Sequence, residues 1–176
     1  DGIYKQIELA GRTCYKSEDK ITETSAKEFV SRMIKSGHGA MLEHGTIYLK
    51  VPILAETSYN TVCKYNENPY SKINTDKLGM MFYITTNYRV LVENDWLGDL
   101  HYMCEPTEFH EKRITVKFIC DRGVSHEFVR HRVFSFAQES TRYCCYAKDK
   151  FGNEIEDRIY TNSDFDYNII LEDRTY

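Results

Sequence analysis

Arg130, His131 and Arg132 stand together, and after seven intervening residues come Ser140, Thr141, Arg142 and Tyr143. Between Arg122 and Tyr143 the chain carries four arginines against two glutamates, although its net charge is −4. A guanidinium presents a planar fork of N–H donors that meets phosphate or carboxylate at two points. Three such forks beside an imidazole, the carboxamide of Gln138 and a Ser-Thr pair suit a phosphorylated ligand. One basic segment in an acidic chain points to a small anion rather than a long polyanion. Nucleic acid is therefore not expected as a partner, and a pI near 5.9 argues the same way.

Two elements must position these groups. Asp121-Arg122-Gly123 predicts a turn and Val124–His131 a short helix, with Val124, Phe128 and Val129 inward. On that helix His126 and Arg130 share one face, and Glu127 and His131 the next. At about 100° per residue Arg130 and Arg132 would point apart, so the helix is expected to fray at Arg132 and fan both guanidinium groups. A solvated helix end is the competing explanation, and His131, Gln138, Ser140 and Arg142 together weigh against it. Phe134 to Tyr143 first alternates and then turns polar, which predicts a strand running into a loop of hydroxyls and backbone N–H groups able to hold phosphate. His126-Glu127 does not extend to a zinc-protease motif. The next histidine, His131, comes five residues on, about 140° around the helix. No metal site is expected.

The rest of the chain supplies the frame. Its 176 residues suit one domain, and 41% apolar with 28% charged residues suits a globular one. Six scattered cysteines without a C-x-x-C pair predict reduced thiols in the cytoplasm. No apolar run reaches the roughly 20 residues a membrane helix needs, so no membrane partner is expected. Asp1 at the start and the abrupt end at Tyr176 predict a fragment, truncated at the C-terminus. Ile3, Ile7 and Ala10 predict a short helix ending near Gly11, with Leu9 off its stripe. Thr24-Ser25 predicts the cap of a second helix burying Phe29, Val30, Met33 and Ile34, stopped by Gly37 and Gly39. Thr46–Pro52 and Ile114–Cys120 alternate as strands, with a further strand near Met81–Ile84 and a helix around Asn87–Asn94. The tail after Lys148 reads as turn-rich with poor periodicity. Gly37-His38-Gly39-Ala40 and Leu42-Glu43-His44-Gly45 lie between helix and strand. Glycines there let a ligand approach the backbone, although a helix cap with an incidental histidine is the simpler reading of those residues alone. The mixture favours an α+β fold.

Arg130-His131-Arg132, seven residues and Ser140 resemble the signature of the flavin-dependent thymidylate synthases, the ThyX family. Gly37-His38 with Leu42-Glu43-His44 resembles that family's first flavin-side motif, and Arg12-Thr13-Cys14-Tyr15 its early helix-end segment. The matches cover roughly residues 8–50 and 112–147 in the family's order. The resemblance implies a mixed or antiparallel sheet with flanking helices in one domain over 1–176, within which about residues 53–112 read from their own pattern as an elaboration on a two-strand unit rather than a separate domain.

It also implies a reaction: reductive methylation of dUMP to dTMP, with methylenetetrahydrofolate as carbon donor, FAD as hydride carrier and NADPH as reductant. Folate leaves as tetrahydrofolate, and no enzyme cysteine need act as nucleophile. Carried over by position, Arg130, His131 and Arg132 contact the flavin, with Arg130 also facing the nucleotide. His38 lies beside the isoalloxazine, and Gln138 touches both ligands. Glu139, Ser140, Thr141 and Arg142 wrap the dUMP phosphate and sugar, Arg142 on the phosphate. Glu127 lines the nucleotide pocket, where some relatives carry glutamine. Cys14 stands where the family often has serine, and Ala40 where it often has a hydroxyl. The family's late Asn/Arg segment, which holds the arginine credited with polarising the pyrimidine, is not found after Lys148, so no catalytic residue is assigned. The alternative is a catalytically impaired nucleotide-binding module of the same fold. The resemblance further implies a homotetramer with active sites shared between subunits.

Overall fold

The structure, a computed structural model, describes residues 2–53, 56–120, 122–131, 134–139 and 167–173. Helix α1 (Gly2–Cys14) buries Ile7 and Ala10 and leaves Leu9 exposed, as the stripe predicts. It does not stop near Gly11. A Cβ on Gly11 would lie 2.4 Å from Phe29 Cζ, so this glycine serves a close crossing of two helices and not a helix end.

The second of those helices, α2 (Ser25–Lys35), buries Phe29, Val30 and Met33. Ile34 was expected inward and is exposed, because it lies past the edge of that stripe at about 100° per residue. The Thr24 side chain makes no capping bond. Ser25 Oγ instead accepts from Thr22 N (2.9 Å) and donates to Glu8 Oε2 (2.9 Å), pinning the start of α2 to α1. At the other end Gly37 takes a φ of +70°, with His38 N bonded to Met33 O (3.0 Å) and Gly37 N to Ile34 O (3.2 Å). That is a glycine-terminated Schellman cap. Gly39, expected as a second stop, opens the short helix α3 (Gly39–Leu42) instead.

The first sheet contains β1 (Thr46–Pro52), β2 (Lys72–Thr75) and β3 (Met81–Asn87) in the antiparallel order β1-β3-β2. Ile47, Leu49 and Val51 point into the core from β1, which keeps the predicted bounds. Helix α4 (Glu56–Asn66) precedes β2, and α5 (Tyr88–Glu93) follows β3 directly. Asn87 Oδ1 caps α5 by accepting from Val90 N at 3.1 Å. Asn87→Ala should therefore cost about 1 kcal/mol in urea denaturation, and Asn87→Asp much less.

Residues 103–113 then strap β1. Cys104 N bonds to Tyr48 O (3.0 Å), and His110 reaches Leu49 O through Nε2 (3.1 Å). His110 Nδ1 accepts from Thr107 N (3.0 Å), so the proton must sit on Nε2. Burial holds His110 below the ordinary histidine range, with the Leu49 carbonyl pulling weakly the other way.

A second antiparallel sheet holds β4 (Thr115–Cys120), β5 (Phe134–Gln138) and β6 (Tyr167–Asp173) in the order β4-β6-β5. The tail read as turn-rich thus supplies the central strand of this sheet. The two strands most legible in the sequence, β1 and β4, belong to different sheets, and β1 takes its partner β3 from within residues 53–112. Helix α6 (Arg122–Phe128) starts earlier and ends earlier than predicted, with Val129 and Arg130 in a turn. Ser125 is its buried residue, whereas Val124, expected inward, is exposed. On β5 the buried positions are Ser135 and Ala137, and Ala137 joins the main core. The fold is α+β, with antiparallel sheets and flanking helices. Among the described residues no helix is long and apolar enough to cross a membrane.

Candidate functional site

An open groove of about 620 Å³ runs between the end of α1 and one side of α2. Arg12, Tyr15 and Ser17 form one wall; Phe29, Arg32 and Lys35 form the other, with His38 at the end. The crossing at Gly11 creates it, because the Phe29 ring can reach the groove floor only where α1 lacks a side chain. Arg12 and Arg32 stand over that ring at 5.0 and 5.7 Å from its centroid. Arg12 is further fixed by the buried Glu8, whose Oε1 receives Nε at 3.2 Å and Nη2 at 3.1 Å. Tyr15 OH hydrogen-bonds His38 Nδ1 at 2.9 Å, joining the two walls.

Chemically the groove is a cationic rim around flat aromatic surface. It suits a ligand with anionic groups at one part and a planar ring at another. His38 and the Arg12–Tyr15 segment, quoted above from distant parts of the sequence, meet here. The α2 residues Phe29, Arg32 and Lys35 were missed. Their three-residue spacing was the available signal, but an arginine and a lysine on a surface helix read as a solvated face.

The second group of predicted residues lies around the ends of α6 and β5. Gln138 Nε2 donates to Ser125 Oγ at 2.6 Å, and Ser125 Oγ donates to Arg122 O at 3.0 Å. This chain of bonds ties the end of β5 to the first turn of α6. Glu127 and Arg130 form an exposed ion pair at 3.3 Å. His131 follows the helix, also exposed, with its N–H on Phe128 O at 3.0 Å. Glu139, the next residue after Gln138, has a fully buried carboxylate 3.2 Å from Lys16 Nζ. Arg132, Ser140, Thr141 and Arg142 lie outside the described residues. Of the predicted set, His38 lines the groove; Glu127, Arg130, His131, Gln138 and Glu139 are not among its lining residues.

Leu42-Glu43-His44, which resembles part of a flavin-side motif, points elsewhere. Glu43 takes Arg89 Nη1 at 2.7 Å, beside a smaller cleft of about 250 Å³ that Asn68, Tyr70 and Asn87 also line. His44 is fully buried, and among the described residues neither ring nitrogen has a hydrogen-bond partner. Burial drives its pKa down to about 4; the Phe136 backbone raises it slightly but stays outside bonding geometry. Folded protein thus refuses a proton that the unfolded chain accepts below its ordinary value near 6.5. The associated stability is intact above that value and drains as pH falls toward 4. Between pH 7 and pH 5 the loss should be about 2 kcal/mol. His44→Phe should flatten that part of the stability–pH curve in urea titrations; an unchanged slope would assign it to other groups.

Comparison with known sequences gives one family: the sequence model described as thymidylate synthase complementing protein matches residues 50–173. The match spans α4 through β6 and includes the Arg130–Arg142 stretch; the groove residues Arg12 to His38 precede it. Searches of curated proteins and of solved structures gave no match.

Proposed function

We propose, because this chain belongs to the thymidylate synthase complementing protein family, that it methylates dUMP to dTMP reductively. Membership carries thymidylate synthesis in general; the donor, cofactor and nucleotide are the finer proposal. The methylene carbon comes from methylenetetrahydrofolate and joins the pyrimidine. NADPH supplies the reducing equivalents, and the products are dTMP, tetrahydrofolate and NADP⁺. FAD, when bound, carries the hydride between these partners.

The observation that carries this reading is the groove. Arg12, Arg32 and Lys35 offer cations for the cofactor's phosphates, and Tyr15 and His38 offer flat surface for its rings, while Phe29 backs the two arginines from below. These side chains would bind and orient the cofactor. Tyr15 would keep the His38 ring in place through the bond at Nδ1. Arg130, His131 and Arg132 would complete the flavin contacts. Gln138, Glu139, Ser140, Thr141 and Arg142 would hold dUMP, with Glu127 beside it. Arg142 would take the phosphate, the role its residue type serves best.

A homotetramer with shared sites belongs to the same proposal. Its support is β4, whose Val116, Phe118 and Ile119 are solvent-exposed, Ile119 to 65%. An apolar strand of this kind is ordinarily covered by another surface. Free thiols at Cys63 and Cys104 support a reducing compartment such as the cytoplasm.

Purified protein should be yellow or take up FAD, oxidise NADPH faster when dUMP is added, and release dTMP detectable by chromatography. Protein that binds dUMP but makes no dTMP with all partners present would favour the impaired nucleotide-binding module. Protein that binds neither FAD nor dUMP would defeat both. Analytical ultracentrifugation reads the assembly; a monomer at micromolar concentration contradicts the tetramer.

A further inference from the structure

Lys16 is one of two non-glycine residues with positive φ, at +49° and within the left-handed region, among those described. It ends α1 in the way Gly37 ends α2. Ser17 N bonds to Arg12 O (2.9 Å) and Lys16 N to Thr13 O (3.2 Å), the same pair of cap bonds. Glycine is the common choice at this position because a Cβ there is strained. The chain uses it in α2 and accepts a lysine in α1.

What the lysine gains is reach. Its ammonium crosses to β5 and meets the fully buried carboxylate of Glu139 at 3.2 Å, while its own side chain stays half exposed. The neighbours on either side face the groove: Tyr15 bonds His38, and Ser17 lines the wall. One strained turn therefore touches both the groove and the strand end that precedes Ser140. Strain kept at such a junction is a pointer to function.

Resting on the function proposed above, we infer that Lys16 is a positioning residue: it fixes the Glu139 carboxylate for the nucleotide and ties its placement to the flavin groove. An ammonium on Glu139 sets the direction of the carboxylate and offsets its charge next to an incoming anionic nucleotide. Without it the carboxylate would repel dUMP and lose its orientation.

The test compares Lys16→Met, Lys16→Arg, Lys16→Gly, Glu139→Gln and the double variant Lys16→Met/Glu139→Gln in the full chain. Calorimetry reads dUMP affinity, steady-state kinetics read KM and kcat, and flavin absorbance reads cofactor content. Lys16→Met should weaken dUMP binding and raise its KM about tenfold, the scale of one charge-assisted contact, with kcat changed less. Lys16→Arg should stay within about twofold, because it keeps the charge. Lys16→Gly relaxes the backbone yet should be as impaired as Lys16→Met. The double variant should be no weaker than Glu139→Gln alone. Wild-type affinity in Lys16→Gly or Lys16→Met, equal impairment in Lys16→Arg, or additive losses in the double variant would overturn the inference. If Lys16→Met fails to fold, the Arg and Gly variants decide it. Wild-type protein that binds no dUMP overturns the functional reading and this inference together, an outcome distinct from variants that match a binding wild type.

Discussion

Arg12→Met is expected to remove about 3 kcal/mol of stability, measured by urea denaturation at pH 7. Arg12 and Glu8 are both buried, with side chains 10% and 1% exposed, and the pair is formed within one helix. Deleting the cation strands a carboxylate that, among the described residues, keeps only its bond from Ser25. Loss of one partner from a buried pair usually costs about 3–5 kcal/mol, and the remaining Ser25 contact places this case at the lower end. Adding Glu8→Gln should recover most of the loss, since a neutral amide can sit in that site with its bonds partly satisfied. On the function proposed above, flavin affinity should not recover. Arg12 is also part of the groove's cationic rim, and the double variant still lacks it. Restored stability with FAD binding still weakened about tenfold would separate the two roles. Full recovery of both would show that Arg12 acts only through the fold.

Gly11→Val should be nearly as damaging, by about 3 kcal/mol. Replacing glycine within a helix ordinarily gains up to about 0.5 kcal/mol when valine is the substitute. Here the steric term dominates. The first added carbon would already lie 2.4 and 2.6 Å from two ring atoms of Phe29. That ring cannot slide away easily, because it is buried and Arg12 and Arg32 stand over it. The helices must separate, and the groove opens with them. Thermal melting should fall by roughly 6–12 °C for a chain of this size. Phe29→Leu in the same chain should return part of it by freeing the space. A Gly11→Val protein that melts with the wild type would mean that α1 and α2 do not cross at this point.

The legible parts of the sequence were those where local pattern and tertiary burial agree. Thr46–Pro52 alternates and is buried on alternate residues; Asn87 marks a helix start because its side chain reaches the next turn. Other segments needed partners that no local window contains. Lys72–Thr75 has Ile73 as its single apolar residue and becomes a strand through pairing with β3. Tyr167–Asp173 becomes one by entering between two others. Gly11 looked like a stop because its role depends on Phe29, eighteen positions later in the chain.

The site shows the same division. Arg130, His131 and Gln138 drew notice because cations and amides cluster there in sequence, and the family match covers them. The groove was assembled from two helix ends and a helix face, so only the resemblance at Arg12–Tyr15 and His38 pointed toward it. Lys16 gave no sign at all. A lysine after a helix is ordinary, and neither its backbone angle nor its reach to Glu139 can be read from residue order.

The order β4-β6-β5 also bears on how a ribosome delivers this protein. Roughly fifty residues separate the end of β4 from the end of β6, and neither outer strand can find its neighbour until the middle one emerges. At about 5–20 residues per second that interval is roughly 3–10 s. During it a nascent chain would carry Val116, Phe118 and Ile119 on an unzipped strand, a natural handle for a chaperone and a hazard in its absence.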